Sequence, residues 1–511
     1  MPIPLRSVLI SDAVDESCAA LLVSHGISVT QKVKMSKEEL LQEIQKHDGL
    51  IVRSETKVTA DLLDAAPNLR IVGRAGTGVD NIDLDATVRK GIYVLNTPGG
   101  NSISACEMTC ALITSLARNV AQAAQSLKEG RWDRKLYSGN ELFGKTLAVL
   151  GFGRIGREVA HRMQSYGMKI IAFDPMTSVE SAKEVGVDLL SLDEIWPLAD
   201  YITVHTPLIP ETINLINASV LAKCKKGVRV INVARGGIVD ENALLESIKS
   251  GHCGGAALDV FVQEPPKDPI QWELIKHPKV IPTPHLGAST AEAQQRVAVE
   301  IAEQFLALSG ISTKYTVTGL VNSPMLSAAL SEENAPWVEL SKKLGQLAGK
   351  FLKKNKGAAV EIVTVGKELV SKKFIPTAVL VGVLTGQTKN GLNLVNAGIL
   401  ANENGVHHKI RHEDGDCKAV IIRVGQHQVK GSVRDNELLL LSIDNADFAN
   451  GVALRDNVTL YHGNTAQDLT NIVTTLSSKG VNIHSLNANS NWFVVQTNQE
   501  AAIEINGIEN F

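Results

Sequence analysis

The chain has 511 residues, with 51 Lys+Arg against 54 Asp+Glu, a net charge of -3, 44% hydrophobic residues and only 4% aromatic ones. That length suits about three or four domains, each able to bury a core. The near cancellation of charge argues against a nucleic-acid binder that works by bulk charge. No run approaches the roughly 18 apolar residues of a membrane span, and the N-terminal MPIPLRSVLISD lacks a basic-then-apolar secretory pattern. Neither a nucleic-acid nor a membrane partner is expected, and the location expected is the cytoplasm. Cys18, Cys106, Cys110, Cys224, Cys253 and Cys417 form no C-x-x-C pair and no metal-ligand spacing with histidine, so no metal is expected.

Over the first hundred residues, apolar runs at 8–10, 27–29, 50–52, 71–73 and 92–95 alternate with helical periodicity at 37–46 and 59–66. Strands alternating with helices predict a parallel α/β sheet. Residues 104–117 read as a buried helix capped by Ser102 or Ser104. A second α/β series follows, with strands expected at 147–150, 169–173, 201–204, 229–233, 256–260 and 280–281. Residues 289–308 form a long amphipathic helix, with Ser289 and Glu292 spaced as a capping box. Residues 316–324 read as a linker, and Trp337, Leu340, Leu344, Leu347 and Phe351 then share one helical face. Strand-like runs lie at 360–365, 419–424, 429–433 and 438–443, and residues 458–511 read as strand, helix (466–479), strand, strand.

The second series opens on Gly151-Phe152-Gly153-Arg154-Ile155-Gly156, after a strand and before a helix expected over 157–166, with Asp174 closing the next strand. This context makes a dinucleotide fingerprint specific. Gly151 permits the tight turn, Gly153 lets the backbone approach a pyrophosphate, and Gly156 lets helix and strand pack closely. Helix N–H groups hold the anion. Asp174 suits a ribose diol and repels a 2′-phosphate, so NAD is expected over NADP. Past later strand ends lie Arg235, Glu264 and His285. His285 suits a general base for a hydroxyl proton, Glu264 would orient it, and Arg235 can grip a carboxylate with two parallel hydrogen bonds.

Together with Gly73-Arg74-Ala75-Gly76-Thr77-Gly78-Val79-Asp80 and Pro284-His285-Leu286-Gly287, these segments resemble the D-isomer-specific 2-hydroxyacid dehydrogenase family over about residues 5 to 310. The resemblance implies that Arg235 binds the substrate carboxylate and carbonyl, that His285 is the acid/base and that Glu264 is its partner. It implies NAD contacts by Thr77, Arg154, Ile155, Asp174, Thr206, Ala234, Asp259 and Ala288. His205 is expected to be structural. Within the family the likeness is to the long, animal-like members whose substrate is D-3-phosphoglycerate. Arg53 and Arg74, each ending a strand, would add cations for a phosphate, and Asn101 could offer backbone N–H groups. The implied reaction is NAD-dependent oxidation to 3-phosphohydroxypyruvate, the first step of L-serine synthesis. Another 2-hydroxyacid dehydrogenase, such as a glyoxylate reductase, and an NAD-binding transcriptional co-repressor are the alternatives.

The implied architecture is two Rossmann-like or flavodoxin-like lobes plus two C-terminal α+β domains. Residues 1–100 with 288–315 form the substrate lobe and 101–287 the NAD-binding domain. Residues 316–452, holding Asn393-Leu394-Val395-Asn396-Ala397, form an intervening domain, and 453–511 a shortened ACT-like domain. Trp132 and Arg134 resemble the family's dimer arm, so a homodimer or homotetramer is expected.

Overall fold

The apolar runs of the first hundred residues become short strands; the central β3 is covered on both faces, which is why it reads Gly-Leu-Ile-Val with no polar alternation, while the strand at the 27–29 run is a partly exposed edge. In the computed structural model the elements are β1 (Ser7–Ile10), α1 (Glu16–Ser24), β2 (Ser28–Gln31), α2 (Lys37–Glu43), β3 (Gly49–Val52), α3 (Ala60–Asp64), β4 (Ile71–Arg74), α4 (Leu84–Arg89) and β5 (Tyr93–Leu95). They form a five-stranded sheet of order β2-β1-β3-β4-β5, parallel throughout. The strand order reverses between β1 and β3, the position at which such sheets bind ligands. The structure describes residues 3–323, 326, 328–355, 357–388, 391–455, 457–463, 465–497, 503, 505 and 508–510. Pro324 and Phe511, which bound two of the expected segments, lie outside the described residues.

The chain divides into two compact units, Pro98–Ala298 and the remainder. The Pro98–Ala298 unit begins with α5 (Ser102–Arg118) and α6 (Val120–Lys128). It continues with β6 (Thr146–Leu150), α7 (Arg154–Gln164), β7 (Lys169–Phe173), α8 (Val179–Lys183), β8 (Asp188–Leu189), α9 (Leu192–Ile195), β9 (Tyr201–Val204) and α10 (Ala218–Lys223). β10 (Val228–Asn232), α11 (Glu241–Lys249), β11 (Cys253–Leu258), α12 (Pro269–Lys276) and β12 (Val280–Pro282) follow, then the start of α13 (Ala291–Leu308). The seven strands are parallel in the order β12-β11-β10-β9-β6-β7-β8, reversing between β6 and β9. Apolar clusters fill both faces.

Several boundaries differ from expectation. The N-cap of α5 is Asn101, with Ser102 already inside the helix. α7 starts at Arg154, so the last glycine of the loop is helical. Thr290 rather than Ser289 caps α13, its hydroxyl accepting from Ala293 N–H at 3.1 Å. The expected linker is a rung on β5: Leu320 pairs with Leu95, and Asn322 accepts from Val94 N–H and donates to the Ile92 carbonyl.

The rest of the first unit holds α14 (Ala335–Lys354), β13 (Val360–Val365), α15 (Ile375–Leu384), α16 (Ala397–Glu403), β14 (His408–Glu413), β15 (Ala419–Val424), β16 (His427–Arg434), β17 (Glu437–Ile443) and β18 (Ala446–Ala453). They make a mixed sheet of order β14-β13-β15-β16-β17-β18 beneath the α14–α15 pair. A last antiparallel sheet, β20-β21-β19-β22, joins β19 (Asn457–His462), β20 (Ile483–Asn489), β21 (Trp492–Thr497) and β22 (Glu509–Asn510), with α17 (Ala466–Ser478) packed on it. Among the described residues no helix is long and apolar enough to cross a membrane.

Candidate active site

The glycine loop lies at the switch point of the seven-stranded sheet, and its three glycines are required for three different reasons. Gly151 has φ +94°, and a Cβ there would lie 2.6 Å from the His205 carbonyl at the end of β9. A Cβ on Gly156 would lie 2.1 Å from the Gly151 carbonyl, so only glycine lets α7 pack against the turn. A Cβ on Gly153 would meet nothing within 4 Å, which leaves room for a ligand's backbone-bound pyrophosphate. No side chain caps α7, so its first N–H groups are available to an anion. Asp174 accepts from Phe152 N–H at 2.7 Å and Met176 N–H at 2.8 Å, which holds its carboxylate against the loop with lone pairs to spare for a diol. The buried Oγ1 of Thr206 has no hydrogen-bond partner among the described residues, an orphan that a bound dinucleotide would satisfy. These features fit NAD. Arg154 donates to the Pro98 carbonyl at 3.0 Å, and Ile155 packs on the core. Burial pushes the His205 imidazole down to about 4, and Thr203 Oγ1 lies 3.0 Å from its Nε2, an arrangement that keeps the ring neutral.

The candidate acid/base pair is built from two neighbouring strand-end loops of the same sheet, those after β11 and β12. His285 Nδ1 lies 2.6 Å from Glu264 Oε2, while Glu264 Oε1 accepts from Phe261 N–H at 2.9 Å. Burial alone would raise the Glu264 carboxyl, but the bonds from His285 and Phe261 outweigh it and lower its pKa. The carboxylate therefore stays charged and holds the ring through Nδ1. His285 itself has φ +55°, a left-handed conformation costly for a residue with a Cβ. Asp259 holds that turn: fully buried, it accepts from Thr283 Oγ1, Leu286 N–H and Gly287 N–H at 2.6 to 2.8 Å, and its carbonyl accepts from His285 N–H. In this structure Asp259 works as the clamp of the histidine loop. Ala288, one turn on, accepts from Gln294 Nε2.

Buried Asn232 fixes the arginine loop by accepting from Ala234 N–H at 3.0 Å and donating to the Arg235 carbonyl at 2.8 Å. A Cβ on Gly236 would overlap the Phe261 carbonyl at 1.9 Å, so this glycine sets the Arg235 loop directly against the Glu264 loop. Asn101 stands at the start of α5, with no side-chain cap bond of its own. Asn232 was not singled out from the sequence; its cue is a polar residue closing an apolar strand.

In the first unit, Arg53 follows β3 and Arg74 ends β4, and Val52 is in register with Arg74, so the two arginines are neighbours on one sheet edge. Burial lowers the Arg53 pKa, opposed by the charges of Asp12 and Glu55, and its buried Nε has no partner among the described residues. Asp12, after β1, accepts from Arg53 N–H at 2.6 Å and from Thr56 N–H and Oγ1. Asn81 accepts from Arg74 Nε at 3.0 Å. Thr77 donates to the Thr97 carbonyl at 3.2 Å. Neither Asp12 nor Asn81 was foreseen from the sequence.

Comparison with known proteins decides the class. Residues 110–287 match the D-isomer specific 2-hydroxyacid dehydrogenase NAD binding domain, and residues 334–435 the D-3-phosphoglycerate dehydrogenase intervening domain. A Homo sapiens D-3-phosphoglycerate dehydrogenase is 49% identical over 467 residues, which cover 89% of this chain and 86% of the relative. The chain belongs to the D-isomer-specific 2-hydroxyacid dehydrogenase family. A Bacillus subtilis D-3-phosphoglycerate dehydrogenase is 44% identical over 402 residues, covering 78% of this chain and 74% of the relative. A solved D-lactate dehydrogenase from Aquifex aeolicus, complexed with NAD and lactic acid, is similar with TM-score 0.55 and 28% identity over 61% of this chain and 99% of that one. The chain is thus an NAD-dependent dehydrogenase, as its glycine loop implied, with D-3-phosphoglycerate dehydrogenases among its relatives.

Proposed function

We propose that the chain oxidises D-3-phosphoglycerate to 3-phosphohydroxypyruvate with NAD, the entry to serine synthesis. The observation that carries this reading beyond the family is the pair of neighbouring strand-end arginines, Arg53 and Arg74. A lactate-like substrate brings one negative charge, whereas phosphoglycerate brings about three at neutral pH, and extra cations match the larger charge. Arg235 binds the carboxylate and the C2 oxygen. Arg53 and Arg74 take the phosphoryl oxygens, assisted by main-chain groups at Asn101. His285 Nε2 accepts the C2 hydroxyl proton, and Glu264 stabilises the imidazolium that results. Bound NAD supplies the hydride acceptor; Thr77, Gly151, Gly153, Arg154, Ile155, Gly156, Asp174, Thr206, Ala234 and Ala288 hold it, with Asp259 near its nicotinamide.

The exposure of Trp132, Leu136 and Phe143, at 81%, 74% and 76%, supports a homo-oligomer that covers this arm. The domain limits proposed are those of the sequence reading, and the location proposed is the cytoplasm. A panel of D-3-phosphoglycerate, D-lactate and glyoxylate with NAD or NADP (its reduced form for glyoxylate) tests the reading. Turnover is expected to be highest by far with phosphoglycerate and NAD. Preference for glyoxylate, or no turnover with any substrate, would replace it by a reductase or a co-repressor.

A further inference from the structure

The two strand-end arginines are joined by one carboxamide. Asn81 Oδ1 accepts from Arg74 Nε at 3.0 Å, while its Nδ2 donates to the Arg53 carbonyl at 2.7 Å and the Thr56 carbonyl at 2.6 Å. Only this orientation of the amide works, because the nitrogen faces two acceptors and the oxygen a guanidinium. The main chain of Asn81 is fixed as well, its carbonyl accepting from Val58 N–H at 2.8 Å beside the Val58–Ile82 bridge. From the other side, Asp12 at the switch point holds Arg53 N–H and Thr56. The loop after β3 is therefore tied at both ends, and the Arg74 head is tied to that loop.

Long cationic side chains lose rotamer entropy when they grip an anion. A side chain already held through Nε loses less and presents its terminal nitrogens as a fixed fork. We propose that Asn81 is a positioning residue that sets Arg53 and Arg74 as one unit for the phosphoryl group of the substrate. The proposal rests on the reading that these arginines bind that group. Asn81 acts through them and needs no contact with substrate of its own.

The test is a cycle of wild type, Asn81→Ala, Arg74→Ala and the double variant, assayed with D-3-phosphoglycerate and NAD. Asn81→Ala should raise KM for phosphoglycerate about tenfold, the size of one lost bond to a charged group, with kcat and the KM for NAD within about twofold. The double variant should fall clearly short of the product of the two single effects, because the part of Asn81's effect that runs through Arg74 is already lost in Arg74→Ala. Multiplicative effects, or an unchanged KM in Asn81→Ala, would overturn the proposal. Asn81→Asp is the second variant, read if the alanine protein does not fold. It keeps an acceptor for Arg74 but adds a negative charge beside the anion, so it should raise KM at least as much as a lost bond, and added salt should narrow the gap to wild type. A salt-independent KM equal to that of wild type would also overturn it. If Arg74→Ala itself leaves KM unchanged, the substrate reading fails instead.

Discussion

The two parallel sheets present their candidate binding groups in different ways. In the Pro98–Ala298 unit the switch point is glycine backbone: Gly151 and Gly156 are crowded by neighbouring carbonyls, and Gly153 is left open. In the first sheet the switch point is built from side chains, with Asp12 and Asn81 fixing Arg53 and Arg74 through bonds that span up to 41 residues. Backbone recognition depends on a local spacing that any chain with this fingerprint shares. Side-chain recognition depends on which residues the fold brings together, and there a family with one scaffold can change its substrate.

The contrast can be broken in several places, the largest expected effect first. His285→Ala should lower turnover by about 10²- to 10⁴-fold, the usual worth of a positioned acid/base, while NAD binding measured by fluorescence titration stays close to that of wild type. Equal turnover would remove the proton role. Gly156→Ala should cost about 3 kcal/mol of stability in denaturant titration, because its new methyl meets backbone that cannot move aside. Gly153→Ala should fold normally and bind NAD about tenfold more weakly, near 1.4 kcal/mol. Equal stability losses in the two variants would mean that the loop is shaped by packing alone.

The smallest effect concerns His205. With its native pKa pushed down to about 4, below an ordinary histidine, the unfolded chain binds the proton more readily between pH ~6.5 and ~4. Its contribution is present above pH ~6.5 and lost as pH falls through that window. His205→Gln should flatten the pH dependence of stability there, by on the order of 1–2 kcal/mol. An unchanged profile would place the ring in contact with water.

The legible parts of the fold were those with local cues. Both parallel sheets followed from apolar runs between helical patterns, and the glycine loop from its spacing. α15 carries no such cue, because Ile375–Leu384 is apolar on nearly every face and shows no 3.6-residue period. β14 is hidden for the opposite reason: His408–Glu413 is an exposed, charged edge strand with no apolar run. The 316–324 segment looked like a linker because its bonds to β5 come from a stretch more than two hundred residues away. The same holds for the candidate site. Arg235, Glu264 and His285 could be read from motifs, and the structure pairs His285 with Glu264. Asn232 and Asp259, which fix the Arg235 and His285 loops, and Asp12 and Asn81, which hold Arg53 and Arg74, act through contacts that no spacing encodes.

The central claim is that the paired arginines make this dehydrogenase scaffold selective for a phosphorylated acid. The direct measurement is the ratio of kcat/KM for D-3-phosphoglycerate to that for D-glycerate, in wild type and in Arg53→Ala/Arg74→Ala. The account predicts a large ratio in wild type that collapses by about 10²-fold or more in the variant, as two charge-assisted contacts are lost, with D-glycerate turnover nearly unchanged. A ratio that stays the same in both proteins would contradict it.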